Sequence, residues 1–356
     1  MLDFLFGLFS YDMGIDLGTA NTLVSVAGKG IVIREPSVVA RHRKTKKILA
    51  IGKEAKKMMG KTPYMIEAIR PLRDGVISDF DATSAMIRHY INIIHESHGF
   101  LPKIPRPRVV IGIPSGVTEV ERRAVQDACL SAGARQAYLI EEPMAGAIGI
   151  GFNVEDSSGI FIVDIGGGTT EMALISLGGI VMNKSIRMAG DEMDQSIISY
   201  MRTRHAILIG DRTAEDIKIS VGSATENSGR GNPAPTNDKF AVVRGRDLES
   251  GLPKSIKVSA DDVREALAPV VSQIVETVAD LLEEVPPELI PDILEKGITL
   301  CGGGSYLFGI DKLMAERVKM PVSVADDPMT AVVRGCTKLL ENESLLNKVR
   351  VTGGLR

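Results

Sequence analysis

Two aspartates in the sequence each follow an apolar run and precede a glycine-containing turn. Asp16 lies in residues 13–26, MGIDLGTANTLVSV, and Asp164 lies in residues 161–175, FIVDIGGGTTEMALI. A carboxylate placed in this way lies beside exposed backbone N–H groups, which can hold phosphate oxygens. Because a carboxylate and a phosphate repel each other, the carboxylate contacts phosphate through a magnesium ion, usually with water between them. Two such turns facing each other would hold a triphosphate and its metal.

A third glycine turn, residues 302–305, follows the apolar segment 297–301. Other phosphate-binding patterns fit the chain less well. The sequence contains no GxxxxGK[ST], so it has no P-loop. Residues 171–177 predict a strand after the glycines at 166–168, whereas a dinucleotide-binding fingerprint requires a helix there. Each turn alone could be a simple tight hairpin, and the set of three favours a nucleotide site.

The elements that carry these turns occur twice in the chain. Residues 138–147, YLIEEPMAGA, and 322–331, VSVADDPMTA, both predict a strand, two acids and a proline that opens a helix. Before each of them we predict a strand and a helix, at 108–114 with 119–132 and at 297–301 with 310–318. Each half therefore has the order hairpin, strand, helix, strand, helix. This repeat predicts two similar α/β lobes that face each other across a cleft.

Each lobe is predicted to carry an insertion. The predicted boundaries are an N-terminal segment 1–11, a lobe I core of 12–38, 75–150 and 331–350, a lobe I insertion of 39–74, a lobe II core of 151–187 and 255–330, and a lobe II insertion of 188–254. A helix over 259–285 follows the second insertion. Ser259 is its predicted N-cap, and Asp261 and Asp262 suit the positive end of its dipole.

Composition places this chain of 356 residues among globular proteins and argues against several other classes. The hydrophobic fraction of 44% is ordinary, and the net charge of -3 argues against a nucleic-acid-binding protein, which usually carries a basic surplus. Cys129, Cys301 and Cys336 match no zinc or disulfide spacing, so we predict buried thiols in a reducing cytosol. No run of about 20 apolar residues is present, so no segment is predicted to span a bilayer.

The ordered set of motifs resembles the actin, sugar kinase and heat-shock ATPase superfamily. Residues 16–21 look like its first phosphate motif, 164–170 like the second, and 302–305 like the adenosine motif. Residues 141–147 and 327–335 look like its two connecting helices. The resemblance implies an α/β fold of the actin-like type. Two similar lobes, a duplicated RNase H-like mixed sheet with helices, would surround a nucleotide cleft, and each would carry an inserted subdomain.

Within the superfamily, residues from about 12 to about 340 resemble the MreB family. The segments that carry this resemblance are GIDLGTANTL (14–23), IRPLRDGVI (69–77), LIEEPM (139–144), DIGGGTTE (164–171) and AGDEMD (189–194). Gly146 and Cys301 depart from the family pattern, where Ala and Thr are more usual. Neither residue is expected to touch a catalytic group.

The resemblance implies ATP and Mg²⁺ as ligands and assigns roles to residues of these motifs. The implied nucleotide-binding residues are Thr19, Ala20, Asn21, Gly166, Gly167, Gly168, Thr169, Glu215, Asp216, Ile217, Lys218, Gly302, Gly303, Gly304 and Ser305. Asp16 and Asp164 would hold the magnesium, largely through water, and count with the catalytic residues. Hydrolysis also needs a group that orients or deprotonates water. Glu142 matches that position, and Glu141 is the alternative.

Without these motifs, the same acids would have simpler interpretations. Either glutamate would be a helix-start acid favoured by the dipole. Glu215 and Lys218, three residues apart on a predicted helix, would be a solvated surface pair.

Two apolar elements predict contact with a membrane. In the N-terminal segment, Leu2, Leu5, Phe6 and Phe9 form a helical stripe, which Phe4 and Leu8 widen. Such a helix could lie in a membrane interface, but it lacks the usual Lys and Arg, so attraction to anionic lipid must come from elsewhere. It could instead pack on its own domain. Phe100 and Leu101 form a second apolar tip, flanked by basic residues, and the sequence leaves open whether the two elements share a face.

The resemblance implies an ATPase that forms actin-like filaments, with hydrolysis acting as an assembly switch. Its implied partners are itself, the inner face of the cytoplasmic membrane and the cell-wall elongation machinery, with no nucleic acid. It would be cytoplasmic, peripheral on that membrane, and would maintain rod shape. A sugar-type small-molecule kinase is the alternative, but residues 113–116 offer no acid to act as its base. A chaperone ATPase would need a further domain after Leu340, where we expect none.

Overall fold

The structure, a computed structural model, describes residues 10–96, 105–226 and 240–351. Two five-stranded sheets with equivalent strand order form the centres of two lobes. In each sheet the first strand of the lobe lies in the middle. In chain order within its own sheet, it pairs antiparallel with the second strand and parallel with the fourth. The predicted repeat and the predicted pair of α/β lobes are therefore confirmed.

The strands alternate with helices along the chain. The first half contains β1 (Met13–Leu17), β2 (Asn21–Val26), β3 (Gly30–Pro36), β4 (Val39–His42), β5 (Ile48–Ile51), β6 (Ile66–Ile69), β7 (Leu72–Arg73), β8 (Val76–Ile77), β9 (Arg108–Ile113) and β10 (Gln136–Glu141). The second half contains β11 (Ile160–Ile165), β12 (Thr170–Ser176), β13 (Gly179–Ile186), β14 (Ile207–Leu208), β15 (Phe240–Asp247), β16 (Pro253–Ser259), β17 (Ile298–Cys301) and β18 (Val322–Val324). The large sheets have the orders β10-β9-β1-β2-β3 and β13-β12-β11-β17-β18.

The α-helices of the described ranges include those for which the sequence predicted bounds. They are α1 (Lys53–Met58), α2 (Phe80–Glu96), α3 (Glu119–Ala132), α4 (Glu142–Ile150), α5 (Gly190–His205), α6 (Asp211–Val221), α7 (Ala260–Glu283), α8 (Ile290–Lys296), α9 (Ile310–Val318), α10 (Ala331–Glu341) and α11 (Glu343–Val349). Helices α3 and α9 have the predicted bounds. Helix α7 begins directly after its predicted cap, because the Asp262 N–H donates to Ser259 Oγ at 3.1 Å and the Ser259 N–H donates to the Asp262 carboxylate at 2.9 Å.

Parallel pairing decides which strand ends meet. Strands β1, β9 and β10 run in one direction, so their carboxyl ends lie at one edge of the lobe I sheet. Strands β11, β17 and β18 do the same in lobe II. Asp16 and Asp164 lie at these carboxyl ends, each one residue before the end of its strand. The two edges face each other across a cleft, so the repeat brings the two aspartates together.

A hydrophobic core that joins the lobes holds the cleft together from behind. It contains residues of both sheets and of the helices α4 and α10, such as Val110, Ile140, Ile162 and Val332. The two helices cross closely because each has a glycine at the contact. A Cβ on Gly149 would lie 1.8 Å from the Ala331 carbonyl oxygen, and one on Gly335 would lie 1.8 Å from the Ala145 carbonyl oxygen.

Each insertion forms a small sheet of its own. Strands β5-β4-β6 pair in the first insertion, and strands β14-β15-β16 pair in the second. The predicted boundary at residue 254 is wrong in one respect, because it cuts strand β16, which runs to Ser259. Hydrophobic periodicity could not show that residues 255–259 pair with strand β15 rather than with the lobe II core.

All three cysteines are free, and they are buried as predicted. The expectation that Cys301 touches no catalytic group is wrong, because its thiol forms a hydrogen bond with the side chain of Asp164, its neighbour on the adjacent strand. Among the residues that the structure describes, no helix combines the length and the apolar character needed to cross a bilayer.

Candidate functional site

The cleft between the facing sheet edges has a volume of about 570 Å³, which is within the usual range of small-molecule sites. It is lined by residues of all three glycine turns, by both aspartates and by one candidate glutamate. The predicted site residues that line it are Asp16, Thr19, Ala20, Asn21, Glu142, Asp164, Gly166, Gly167, Gly168, Thr169, Glu215, Lys218, Gly302, Gly303 and Gly304. The fold therefore gathers most of the predicted set into one cavity.

The first glycine turn connects strands β1 and β2, and neighbouring segments hold it in place. The Ser37 hydroxyl donates to the Gly18 carbonyl oxygen at 2.6 Å, and the Ser37 N–H donates to the Ala20 carbonyl oxygen at 3.0 Å. The Gly75 N–H donates to Thr19 Oγ1 at 3.0 Å. These bonds fix the turn, so its orientation toward the cleft does not depend on a ligand.

The second glycine turn connects strands β11 and β12. The Gly166 N–H donates to the Thr169 carbonyl oxygen at 2.9 Å and closes the turn. Helix α5 begins against it, because the Asp191 N–H donates to the Gly167 carbonyl oxygen at 2.7 Å and the Gly190 N–H donates to the Gly166 carbonyl oxygen at 3.2 Å. The start of helix α5 thus shares one wall of the cleft with this turn.

The two turns touch each other across the cleft. A Cβ on Gly167 would lie 2.7 Å from the Ala20 Cβ, and one on Gly168 would lie 2.7 Å from Thr19 Oγ1. Any side chain at these positions would push the lobes apart. The glycines are therefore required for the close approach of the two turns.

The third glycine turn, after strand β17, packs against the end of strand β11. Gly302 has a φ of +81°, and a Cβ there would lie 2.2 Å from Asp164 Oδ1. A Cβ on Gly304 would lie 2.3 Å from Ile165 Cγ2. Ser305 is the exception in this motif, because its side chain is buried and its hydroxyl donates to the Cys301 carbonyl oxygen. The prediction that Ser305 lines the nucleotide site is therefore corrected.

Three buried carboxylates line the cleft, and in each of them burial raises the pKa and a neighbouring carboxylate raises it further. Burial, followed by the nearby Asp164, raises the pKa of Asp16 to about 8. Burial, followed by Glu171, raises the pKa of Asp164 to about 7. Glu142 has a pKa well above its ordinary value, again through burial first and the two aspartates next. Such a cluster takes up protons near neutral pH unless a cation neutralises it.

The two candidate glutamates have different surroundings. Glu142 is the first residue of helix α4 and lines the cleft, whereas Glu141 ends strand β10 and does not line it. The pKa of Glu141 is also raised, by burial and by Glu171, and the positive charge of Arg122 acts against this rise. Of the two, only Glu142 could reach a molecule bound in the cleft. The role itself stays a prediction.

Helix α6 contributes to the cleft through one face only. Lys218 pairs with Asp194 at 2.8 Å and donates to the Gly190 carbonyl oxygen at 2.6 Å. Glu215 pairs with Lys56 of the lobe I insertion at 2.7 Å. Asp216 is exposed, and Ile217 is 3% exposed within the lobe II core. Of the predicted run 215–218, only Glu215 and Lys218 line the cleft. Residues three apart share a helix face, and the two residues between them lie on other faces.

Sequence reasoning missed several cleft residues that act through long-range contacts. Arg70 pairs with Asp191 at 2.6 Å, which joins the first lobe to the start of helix α5. Asp194, whose pKa burial raises to about 6, holds Lys218. Arg70 lies in the segment IRPLRDGVI, and Asp191 and Asp194 lie in AGDEMD. Both segments carry the family resemblance, and this is the one sequence signal that could have pointed to these residues. Nothing in the sequence paired one segment with the other.

Glu171 is a further missed residue, and it links the two lobes. The Ser115 N–H of lobe I donates to Glu171 Oε2 at 3.1 Å, and the Ser185 hydroxyl donates to Oε1 at 2.6 Å. Burial raises the pKa of this carboxyl group. Glu171 is the last residue of the DIGGGTTE motif, and the sequence analysis assigns it no role.

The residues present fit a nucleotide with its divalent cation. Asp16 and Asp164 offer carboxylate oxygens, which are the ligands that magnesium takes, at the two facing glycine turns. Among the described residues, no group of three or more His, Cys, Asp or Glu side chains is arranged to hold a metal by itself. Magnesium keeps several waters and takes few protein ligands, so two aspartates suffice as its candidate protein ligands. The segment 306–308, with Ile219 and Met329, gives the cleft an apolar end suited to a base.

Comparisons with known proteins agree with this site. Residues 10–348 match the family model described as MreB/Mbl protein. The chain is 46% identical over 345 residues to the cell shape-determining protein Mbl of Bacillus subtilis, covering 97% of this chain and 100% of that protein. It is 47% identical over 340 residues to the cell shape-determining protein MreB of Escherichia coli K12, covering 94% of each.

Among solved structures, MreB5 of Spiroplasma citri bound to ADP is similar with a TM-score of 0.86. The sequence identity is 38%, and the match covers 95% of this chain and 98% of that chain. The predicted actin-like fold is confirmed by this match.

Proposed function

The chain belongs to the MreB/Mbl family, and from this premise we propose that it is an ATP-dependent, membrane-associated actin-like filament protein that organises cell-wall elongation and maintains rod shape. ATP binding would favour assembly, and hydrolysis would loosen the filament. The observation that carries the proposal is the pair of aspartate–glycine turns, one from each lobe, in contact across the cleft.

Nucleotide binding is supported by what the cleft offers and by a similar protein. MreB5 of Spiroplasma citri binds ADP. In this chain, the turns at 18–21 and 166–169 would hold the phosphates, and Gly302 to Gly304 would lie at the adenosine side. Asp16 and Asp164 would hold a magnesium ion, which supplies charge neutralisation at the phosphate oxygens when bound.

Hydrolysis requires a group that holds and orients the attacking water, and Glu142 is suited to it. Its carboxyl group sits at the start of helix α4 and lines the cleft between the two lobes. Its pKa is raised by burial first and by Asp164 and Asp16 next. A cation held by the two aspartates would lower this pKa, so that Glu142 would be ionised and able to accept a hydrogen bond from water. Glu142 would accept a hydrogen bond from the water and hold it toward the phosphates.

Two ion pairs across the mouth of the cleft would couple the bound nucleotide to the relative position of the lobes. Arg70 with Asp191 and Lys56 with Glu215 each join the lobe I insertion to lobe II. Asp191, Arg70 and Glu215 also line the cleft. A change at the nucleotide would therefore reach the contacts that hold the lobes together, which is how binding could alter the surfaces used in assembly.

Membrane association rests on residues 2–9 and on Phe100 and Leu101, all of which lie outside the described residues. Their points of attachment support the proposal. The Arg106 N–H donates to Ser10 Oγ at 2.8 Å, and the Tyr11 N–H donates to His95 Nε2 at 2.9 Å. Both segments therefore join the fold side by side, where strands β1 and β9 begin, at the sheet edge opposite the cleft.

The small-molecule kinase alternative is not favoured. A kinase of this superfamily needs an acid aimed at the substrate hydroxyl, and residues 113–116 supply none. The Ser115 N–H in that segment instead donates to Glu171 of lobe II. Family membership points in the same direction, because the similar Mbl and MreB proteins are cell shape-determining.

Electron microscopy on lipid tests the proposal. The full chain is imaged by negative stain on anionic liposomes, with and without Mg-ATP. Filaments on the lipid that require nucleotide would support it, and a chain lacking residues 2–9 should then form filaments in solution but not on lipid. ATP turnover without filaments at any concentration would remove the cytoskeletal part of the proposal, and small-molecule phosphoryl acceptors would then be screened.

A further inference from the structure

A second cavity, of about 670 Å³, lies on the outside of lobe I between helix α3 and the edge strand β10. Its polar lining is dominated by arginines: Arg122, Arg123, Arg135 and Arg350. Glu119 is the one acid in the lining, and Tyr138 contributes an aromatic ring. We call this cavity the arginine groove. It shares no lining residue with the nucleotide cleft.

The charge of the arginine groove is largely uncompensated. Asp12 pairs with Arg135 at 3.3 Å and with Arg108 at 2.7 Å, so this acid is already shared. Within residues 10–96, 105–226 and 240–351, no carboxylate forms an ion pair with Arg122, Arg123 or Arg350. The Nε atoms of Arg122 and Arg350 are buried and have no hydrogen-bond partner within those ranges. A buried donor without a partner is costly, and such a group points to a ligand that completes it.

Guanidinium groups select the chemistry of that ligand. The planar fork of N–H donors matches the oxygens of phosphate and carboxylate groups. The guanidinium carbon of Arg350 also lies 5.7 Å from the centre of the Tyr138 ring, so the aromatic face adds a cation–π contact to this wall of the groove. An anion with several oxygens fits this arrangement better than a neutral molecule.

The position of the groove indicates where the anion comes from. Arg135 lines the groove and also bonds Asp12, which lies two residues after Ser10. Ser10 accepts a hydrogen bond from the Arg106 N–H, beside the segment that contains Phe100 and Leu101. Through Arg135, one end of the groove therefore contacts Asp12, next to the place where both predicted membrane elements join the fold.

We propose that the arginine groove binds the phosphate group of an anionic phospholipid headgroup when the chain lies on a membrane. This inference rests on the membrane association in the proposed function. It supplies the attraction to anionic lipid that the N-terminal segment lacks, since residues 1–11 contain no Lys or Arg. Tyr138 suits the same boundary, because an aromatic ring with a hydroxyl has one apolar part and one hydrated part.

Liposome co-sedimentation of the full chain without nucleotide tests the inference. Vesicles of phosphatidylcholine alone are compared with vesicles that also contain phosphatidylglycerol. The variant Arg123→Gln/Arg350→Gln should lose roughly 20-fold in binding to the anionic vesicles, at about fivefold for each arginine near the surface. Its binding to neutral vesicles should equal that of the wild type. The matched control, Arg202→Gln/Arg244→Gln, removes the same charge from exposed positions in lobe II and should retain wild-type binding.

Four other outcomes would overturn the inference. The groove variant could bind anionic vesicles as the wild type does, or the control variant could lose as much binding. Inorganic phosphate at low concentration could displace the vesicles, which would assign the groove to a free phosphate. The groove variant could keep lipid binding but fail to associate with other copies of the chain, which would assign the groove to a protein contact.

A failure of membrane association itself is distinguishable from a failure of the groove. Deletion of residues 2–9 should weaken binding to both kinds of vesicle, whereas the groove variant should weaken only the anionic share. If the wild type binds neither vesicle, calorimetry with a soluble short-chain phosphatidylglycerol decides the matter. Binding by the wild type and not by the groove variant would support the groove, and no binding by either would overturn it.

Discussion

Asp16 and Asp164 are held where their negative charges are least favourable in the free protein. Burial raises both pKa values, to about 8 for Asp16, where Asp164 adds to the rise, and to about 7 for Asp164, where Glu171 adds to it, from an ordinary value of 3.8. A site of this kind is made for a cation and costs stability when the cation is absent. Such a trade of stability for function is common at binding sites.

Replacement of Asp16 by asparagine should therefore stabilise the nucleotide-free protein at alkaline pH. An acid with a raised folded-state pKa binds its proton more tightly when folded, so stability falls as pH rises from about 4 to about 8. Asp16→Asn removes this loss, and the melting temperature at pH above 8 should rise by at least ~2 °C. Thermal unfolding with a chelator present measures it.

The same variant should lose the stabilisation that the wild type gains from Mg-ATP. Asp127→Asn, a change at an exposed position of helix α3, serves as the control and should alter neither property. If Asp16→Asn melted at the wild-type temperature across the whole pH range, the charge cluster would not have the energetic role assigned to it.

Glu142 and Glu141 should separate in their effect on hydrolysis. Glu142→Gln keeps the size of the side chain in the cleft but removes the base, and should lower ATP turnover by roughly 10²- to 10⁴-fold with little change in nucleotide affinity. Glu141→Gln, outside the cleft, is the matched control and should stay within a few-fold of the wild type. Single-turnover phosphate release measures both. Equal losses in the two variants would contradict the role given to Glu142.

Residue types and spacing identified most of the residues that line the cleft, because most of them belong to short local turns. The glycine turns and their aspartates need only a few neighbouring residues to be recognised. Asp216, Ile217 and Ser305 were placed wrongly because a motif read as a run does not state which side chains face the ligand. Arg70 and Asp191 were missed because their pairing joins segments that are far apart in the sequence.

At the scale of secondary-structure elements, the crossing of helices α4 and α10 decides how the lobes are joined. Both helices belong to the core that the lobes share, and each presents a glycine to the backbone of the other. The close approach leaves no room for a methyl group at Gly149 or Gly335. The two helices lie behind the cleft, so the distance between them affects how the two lobes are positioned around it.

Gly149→Ala should destabilise the protein by about 3 kcal/mol, because the new Cβ would lie 1.8 Å from the Ala331 carbonyl oxygen and must separate the helices. Gly146→Ala in the same helix is the matched control. Its Cβ would meet only the ends of the Ile162 and Cys301 side chains, at 3.2 and 3.3 Å, and alanine gains up to ~1 kcal/mol in helix propensity. Denaturant unfolding compares the two, and equal stabilities would contradict this packing account.

Elements with local signals were predicted to within a residue or two. Helix α3 begins after Thr118, whose hydroxyl accepts the Glu121 N–H at 3.3 Å, and such a cap is visible in the sequence. Strand β16 was divided wrongly because its partner, strand β15, is what defines it. An element whose bounds are set by its own residues can be predicted from the sequence. An element whose bounds are set by pairing with a distant strand cannot.

For the whole molecule, we expect the ion pairs that join the lobes at the cleft to slow the release of a nucleotide. Lys56 does not line the cleft, yet it holds Glu215 at 2.7 Å from the other lobe. Both side chains are partly buried, at 29% and 20% exposure, so solvent screens the pair incompletely.

Lys56→Ala should therefore speed release of a fluorescent nucleotide up to about fivefold, the effect of an ion pair worth ~1 kcal/mol. Lys57→Ala is the matched control, because Lys57 pairs with Glu54 inside helix α1 and not with the other lobe. Stopped-flow displacement measures both rates. A release rate that is unchanged in Lys56→Ala, or equally raised in Lys57→Ala, would show that this pair does not hold the cleft closed.

The two-lobed architecture could be predicted from the internal repeat, since duplicated motifs predict duplicated folds. The surfaces that make contacts between copies could not, because such interfaces have no motif of their own. The common attachment of the N-terminal segment and the Phe100 segment also required the structure, which joins Ser10 to Arg106.

The central claim is that the nucleotide in the interlobe cleft controls assembly. High-speed sedimentation of the wild type and of Asp164→Asn, each with Mg-ATP, with Mg-ADP and without nucleotide, tests it most directly. The wild type should sediment as filaments with Mg-ATP and much less in the other two conditions, and Asp164→Asn should not sediment in any of them. Sedimentation of the wild type that is independent of nucleotide, or of Asp164→Asn at the wild-type level, would contradict the claim.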